Sequence, residues 1–300
     1  MTIAATAHAM AAGMASRVKS GRMAWSGGVR GAASAAGCAE ARTRASIRRP
    51  RHDAPGGVAR GVAIVIPMLN EAAALPRLLR SLAALHPPPD EVLAVDGGSR
   101  DASVAIASAG GLRVVQHDVP GRATQINRGV DEARSPLVCV LHADTLLPDD
   151  AVAVMQAVLA DKRTALAGFT PLLSDPTTVR WGTSLHNWLK TWYAPLLFRP
   201  LLFLRGGRLL FGDHAMFFRR ADFLVVGGCD ASLRVMEDAD LCIRLCRVGR
   251  VRLVNRVVIT SDRRVAAWGA LRANWIYLKV GMRWGMGLRR GLERHYPDVR

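Results

Sequence analysis

Three short stretches of the chain place acidic side chains directly behind apolar runs. Val62–Ile66 leads into Pro67-Met-Leu-Asn-Glu71, Val92–Val95 into Asp96-Gly-Gly-Ser-Arg-Asp101, and Leu137–Leu141 into His142-Ala-Asp144. Carboxylates gathered in this way can grip a polar ligand or hold a hard cation against phosphate oxygens. Gly97 and Gly98 would let backbone approach a ligand closely or adopt positive φ. Taken singly, each acid also reads as a helix-capping group. Three in succession, all at one edge of a sheet, read as a site.

The elements that must position them alternate. Short apolar runs at 62–66, 92–95, 112–116 and 137–141 read as buried strands. Between and after them, 71–85, 101–108, 121–133 and 149–159 carry helical patterns, with Leu75, Leu78, Leu79 and Leu82 on one face of the first. Strands separated by such helices predict an α/β fold, a mostly parallel sheet with right-handed crossovers. Ligands bind at the carboxyl ends of strands in these sheets, which is where the acids stand. Further on, Glu237–Val248 reads as a helix with Leu241, Leu245 and Val248 on its apolar face, and Leu253–Ile259 as a last apolar strand.

Of the 300 residues half are hydrophobic and 22% charged, with Lys+Arg at 41 against 24 for Asp+Glu, giving +17. Mean hydropathy is +0.14 and the pI about 11.1. That composition excludes a disordered chain and predicts anionic company: nucleic acid, phosphate-bearing small molecules or a membrane face. The five cysteines include no CxxC pair, which argues for reduced thiols over a disulfide framework or zinc knuckle.

Residues 1–60 read as lying outside the fold. They hold ten basic residues against Glu40 and Asp53, a surplus of +8, with little apolar periodicity and no secretory apolar core. They fit either an organellar transit peptide or a disordered extension, the latter including a start placed upstream of Met14 or Met23. The predicted organisation is this leader, a catalytic domain over 61–265, and a helical segment over 266–300.

In unbroken order from about 62 to the end, the motifs resemble those of family 2 glycosyltransferases of the GT-A fold. Beyond the three strand ends, they are Gly121-Arg-Ala-Thr-Gln-Ile-Asn-Arg-Gly129, Gly212-Asp-His-Ala-Met-Phe-Phe-Arg-Arg220, Met236-Glu-Asp-Ala-Asp-Leu241 and Thr260-Ser-Asp-Arg-Arg264. These resemble one bacterial-type branch, the selenodomain-associated or arsenosugar-biosynthesis glycosyltransferases. The resemblance implies a nucleotide-diphosphate sugar donor, a hydroxyl acceptor not named by the sequence, and inversion at the sugar. It implies a nucleotide-binding set of Pro67, Asn70, Glu71, Asp96, Gly97, Arg122, Gln125, Asn127, Arg263 and Arg264. One of the two late arginines would clamp the diphosphate, for which a guanidinium fork is suited.

Asp144 matches the last acid of the family's Asp-x-Asp metal motif, implying Mn2+ or Mg2+ bound with substrate phosphates. His142 stands where the first acid belongs; imidazole suits manganese better, and it serves equally as a ribose donor or an ordinary strand-end histidine. Asp238 is implied as the base that takes the acceptor's proton, with Glu237 and Asp213 on the acceptor side. Acids in a first helical turn are also favoured by the helix dipole alone.

No apolar stretch reaches the ~18 residues of a membrane span. Ala194–Phe211 is broken by Arg199, Arg205 and Arg208, and follows Trp181, Trp188, Trp192 and Tyr193. Residues 263–300 hold nine basic residues against Glu293 and Asp298, with Trp268, Trp275, Tyr277 and Trp284. Both segments suit either an amphipathic cap on the domain or peripheral membrane contact, so the expected location is cytoplasmic with a membrane-facing side, or organellar if the leader is a transit peptide. A nucleic-acid binder and a nucleotidyltransferase compete. Against the first, 8 of the 17 surplus charges lie in the leader and the strand-end acids would repel phosphate; against the second, no Gly-rich basic loop follows the first strand.

Overall fold

A computed structural model describes residues 61–296 apart from Pro120 and Pro176; the leader reading of 1–60 falls outside the described residues. The chain opens with β1 (Val62–Met68), α1 (Leu75–Ala83), β2 (Glu91–Asp96), α2 (Ser103–Ala109), β3 (Arg113–Gln116), α3 (Arg122–Glu132) and β4 (Leu137–Val140). The four strands lie parallel in the order β3-β2-β1-β4.

Their near-continuous apolar sequence has a direct cause: successive side chains feed opposite faces, and both faces are covered. Ala63 and Val65 enter the core under α3, whereas Val62, Ile64 and Ile66 enter the core under α1. α3 lies so close that a Cβ on Gly129 would fall 2.3 Å from Val65 Cγ1, so glycine sets that approach.

Next come β5 (Thr145–Leu146), α4 (Ala151–Ala160), β6 (Thr164–Ser174), α5 (Trp181–Phe198) and α6 (Pro200–Leu204). A 3-10 turn at Gly212–His214 precedes β7 (Phe217–Arg219), α7 (Arg220–Val225), α8 (Glu237–Leu245) and β8 (Arg250–Ser261). The chain continues through α9 (Arg263–Trp268) and α10 (Ala270–Gly285) to a second 3-10 turn at Leu292–His295.

The full sheet runs β3-β2-β1-β4-β7-β6-β8-β5, with β7 antiparallel to both its neighbours. The sheet is therefore mixed beyond β4. β6 and β7 carry no clear strand signal in sequence: β6 contains Gly168 and Pro171, and β7 is three residues long.

The first helix starts at Leu75, four residues later than its pattern predicts. Asn70 takes a left-handed φ of 55°, and the Glu71 carbonyl accepts N–H bonds from Ala74 and Leu75. Those residues form the loop that carries Glu71. α9 follows β8 almost directly and runs across the expected 265/266 boundary. α10 packs on α9 and α5. At its end a Cβ on Gly285 would fall 2.6 Å from Phe198, so the two long helices meet closely. Cys139, Cys229, Cys242 and Cys246 are free thiols.

Candidate active site

The ends of β1 and β4, the start of α3 and the start of α9 open into one cavity of about 920 Å³. On this side the dominant feature is an arginine between two acids. Arg263 Nη2 donates to Asp144 Oδ2 at 2.8 Å and its Nη1 lies 3.1 Å from Glu71 Oε2. Burial works against the Arg263 charge, but the Glu71 and Asp144 carboxylates outweigh it and push its pKa up. Arg264 instead donates to the Tyr296 hydroxyl at 3.0 Å.

Several expected ligand residues bind the loops to one another. Asp96 is buried and accepts N–H bonds from Gly98 and Ser99, both at 3.1 Å. The Asn70 side chain accepts from Arg100 N–H at 2.9 Å while Ser99 Oγ accepts from Asn70 N–H. Gln125 Nε2 donates to the Met68 and Val95 carbonyls, each at 2.8 Å, and so ties the ends of β1 and β2. A Cβ on Gly97 would meet that same amide at 2.9 Å. Asn127 pairs with the backbone of Cys229 in both directions, at 2.9 and 2.7 Å.

Asp238 stands at the start of α8 and lines the same cavity. The preceding residue but one, Met236, takes a left-handed φ of 67°, which turns the chain into the helix. Asp238 Oδ2 accepts the Gly212 N–H at 2.6 Å and Oδ1 accepts the Ala239 N–H at 2.7 Å. Burial, with the Glu237 charge beside it, raises its pKa from 3.8 to about 7, against the pull of Arg122. A carboxylate so placed can accept a proton near neutral pH.

Glu237 itself is buried and receives Arg122 Nη1 at 3.0 Å. Burial opposes the Arg122 charge, and Glu237 and Asp238 override it. His142 is pushed down to about 4, first by burial and then by Arg122, so its imidazole is neutral. Its Nε2 has no hydrogen-bond partner among the described residues, and a Cβ on Gly212 would lie 2.3 Å from its Cε1.

Asp213 accepts from Asn187 Nδ2 and faces His214 Nδ1 at 2.9 Å. Burial would raise its pKa, but His214, Lys190 and Asn187 hold it well below the usual carboxylate range.

Pro67, Glu71, Arg122, Gln125, His142, Asp144, Asp213, Asp238, Arg263 and Arg264 thus share one cavity. Asn70, Asp96, Gly97, Asn127 and Glu237 are not on its wall; each instead ties or spaces the segments that are. Sequence reasoning missed Lys190, Asn187 and Tyr296, which line it. Their signal is present as the aromatic-rich stretches at 181–193 and 263–300, which suit either an amphipathic cap or a membrane face and do not single out these residues.

A mixed sheet whose acidic strand ends open into one cavity has counterparts among known proteins, in sequence and in fold. Residues 63–226 match the family described as glycosyl transferase family 2. The PGL/p-HBAD biosynthesis glycosyltransferase of Mycobacterium tuberculosis is 30% identical over 249 residues, covering 79% of this chain and 91% of the relative. The chain belongs to glycosyl transferase family 2.

Among solved structures, the mannosyltransferase of Pyrobaculum calidifontis in complex with GDP-Man and Mn2+ superposes with a TM-score of 0.59 at 19% identity. The match covers 80% of this chain and 69% of that one. The glucosyl-3-phosphoglycerate synthase of M. tuberculosis, in complex with Mn2+, UDP and phosphoglyceric acid, gives 0.53 at 20% identity, over 76% and 79%. These likenesses establish the fold.

Proposed function

We propose that the chain moves a sugar from a nucleotide-diphosphate sugar to an acceptor hydroxyl by single displacement, with inversion at the anomeric carbon. The observation that carries this reading is Asp238, a buried carboxylate fixed by two backbone N–H groups in the cavity that Arg263 and Asp144 also line. Its pKa of about 7 suits a general base that takes the acceptor's proton as the oxygen attacks. Asp213, the other carboxylate on that side, is engaged by Asn187 and His214. With Asp213 engaged, Asp238 acting alone on that side supports one displacement.

The donor's diphosphate would lie against Arg263 and Arg122, whose charges are held on by neighbouring acids. The residues present also fit a divalent cation, as bound in the two structural neighbours. Asp144 lines the cavity and the neutral His142 keeps an unpartnered ring nitrogen. Among the described residues no cluster of three or more His, Cys, Asp or Glu is placed to hold a metal, so diphosphate oxygens would complete the shell. When bound, the ion offsets charge on the leaving diphosphate.

The test is calorimetry with a panel of sugar nucleotides, with and without Mn2+, on the wild type and Asp144→Asn. Nucleotide binding that Mn2+ strengthens only in the wild type is expected. Product anomers read by NMR decide the stereochemistry, and retention would sink the single displacement.

Within the family, the motifs at 121–129, 212–220, 236–241 and 260–264 support the selenodomain-associated branch, a reading that fixes no acceptor. A second reading concerns location. Leu185, Leu189, Leu201, Leu204, Leu271 and Trp275 are exposed on α5, α6 and α10. Among the described residues no helix is long and apolar enough to cross a membrane. Apolar exposure flanked by arginines supports peripheral contact with an anionic membrane on the cytoplasmic side. Flotation with phosphatidylserine vesicles tests it; recovery of all protein in the unbound fraction at low salt would refute it.

A further inference from the structure

Arg122, Arg263 and Arg264 all line the cavity, but they are not equally engaged. Arg122 meets Glu237 at 3.0 Å, and Arg263 meets Glu71 and Asp144 at 3.1 and 2.8 Å. Arg264 makes no ion pair among the described residues. Its Nη1 donates to the Tyr296 hydroxyl at 3.0 Å, and its Cζ lies 5.2 Å from the centre of that ring. Resting on the glycosyl-transfer reading above, we propose that Tyr296 is a donor-binding residue: its phenol O–H donates to an oxygen of the donor's diphosphate, beside the Arg264 guanidinium, and keeps that hydrogen bond as the diphosphate leaves.

The first support is the valence of the hydroxyl. A phenol has one proton to donate and lone pairs to accept with, whereas a guanidinium can only donate. Arg264 therefore occupies a lone pair. The phenol proton has no acceptor among the described residues, although Tyr296 lines the cavity. Burial pushes the phenol up, against the pull of Arg264 and Arg122, so it is neutral and keeps that proton.

The second is charge. Acids pair with Arg122 and Arg263, and none pairs with Arg264. The two arginines act on the phenol more strongly than Asp213 and Asp238 do, which sets the hydroxyl toward the cationic side. An anionic oxygen there gains a bond from the phenol and the attraction of Arg264 together. An uncharged hydroxyl would gain the bond alone. The diphosphate is the anion the reaction brings in, and its charge grows as the sugar departs.

The third is fixation. Trp268 meets the Tyr296 ring edge-on at 5.7 Å, and the Tyr277 ring stands at 6.2 Å. Just upstream, Leu292 is buried in the same core as Leu241 of α8, and Arg289 Nη1 donates to Asp240 Oδ1 at 3.1 Å. The segment that carries the phenol is thus tied to α8 and aims it before a ligand arrives. Phenylalanine would satisfy every ring contact, so the hydroxyl adds only the bond from Arg264 and the uncommitted proton.

The probe is inorganic pyrophosphate with Mg2+, for which neither base nor sugar matters. By calorimetry the full chain should bind it, and Tyr296→Phe should bind it about tenfold more weakly, as for a lost hydrogen bond to a charged group. Pyrophosphate that fails to bind the wild type, or binds the variant equally well, would overturn the proposal. Arg264→Gln should weaken binding too, and the double variant should lose less than the product of the two factors. Independent losses would show that the two groups do not act on one oxygen.

Labelling with 3-fluorotyrosine reads the contact without a substitution. The chain has three tyrosines, and the fluorine resonance that Tyr296→Phe lacks should shift as pyrophosphate is added. A shift confined to the other two would reject the contact. Tyr296→Phe should also weaken UDP or GDP but not uridine or guanosine; an equal loss on the nucleosides would mark a structural role instead. A wild type that binds pyrophosphate but no sugar nucleotide would defeat the glycosyl-transfer reading and leave the Tyr296 contact standing.

Discussion

The two sides of the cavity solve recognition in opposite ways. On the strand-end side most of the charged and amide groups are already engaged: Gln125 by two carbonyls, Glu71 and Asp144 by Arg263, Arg122 by Glu237. Such a surface is organised before a charged ligand arrives, and preorganised charge is what a diphosphate requires. On the α5–α10 side the wall mixes apolar side chains, Leu209, Val280 and Trp284 among them, with Thr183, His186, Asn187, Asn274 and Tyr277. Asp238 sits where the two meet, tied by Gly212 to the apolar side and facing the charged one.

Removing the group at the junction should have the largest effect. Asp238→Asn keeps the size of the side chain but cannot take a proton, so kcat should fall ~10²–10⁴-fold. Donor affinity, set on the other side, should stay within a factor of about two by calorimetry. A loss of donor affinity comparable to the loss of turnover would show that the two sides are not separable.

Gly212→Ala comes next. Its Cβ would press into the His142 ring at 2.3 Å, so ring or turn must move, and with it the N–H that holds Asp238. Misplacement of about 1 Å can lower a rate ~10²-fold. Unchanged kcat in a folded variant would show that the turn does not position the base.

The pH profile is a third, smaller probe. With Asp238 at about 7, about half of it is ionised at pH 7 and about a tenth at pH 6, so kcat/KM should drop about fivefold between them. The stability effect has the opposite sense. A folded-state pKa raised above 3.8 means the folded chain binds more protons between about pH 4 and 7, so this group's contribution to stability declines as pH rises through that window. In Asp238→Asn that slope should vanish from a series of urea denaturations, whereas an unchanged slope would assign it to another group.

The charged side was largely legible in sequence, because a parallel strand buried on both faces is a continuous apolar run and its end is where the acids begin. Val62–Met68 and Leu137–Val140 announce themselves in that way. The apolar side was not legible for a related reason. α5 must present one face to the sheet, another to the cavity and a third to solvent, so no single apolar stripe marks it. Its Trp and Leu residues suit a cap on the domain or a membrane face equally, and Lys190, Asn187 and Tyr296 carry no spacing that ties them to Asp238. β7, at three residues between β4 and β6, is specified by its neighbours more than by its own composition.

Asn127 tests the comparison most finely, because it belongs by sequence to one side and works for the other. It lies on α3 among residues expected at the nucleotide. Its amide nevertheless exchanges two hydrogen bonds with the backbone of Cys229, 102 positions away, where the chain turns toward Ala231–Met236 and then Asp238. Asn127→Ala should therefore lose about 1–3 kcal/mol, the usual net worth of two such bonds, and lower Tm by several degrees. In the folded fraction kcat should fall about threefold as the 229–236 loop loosens, while nucleotide affinity holds. Asn127→Asp keeps the acceptor for the Cys229 N–H and loses only the donor, so it should recover part of the Tm. The opposite pattern, a weakened nucleotide Kd with stability and kcat intact, would return Asn127 to the charged side of the cavity.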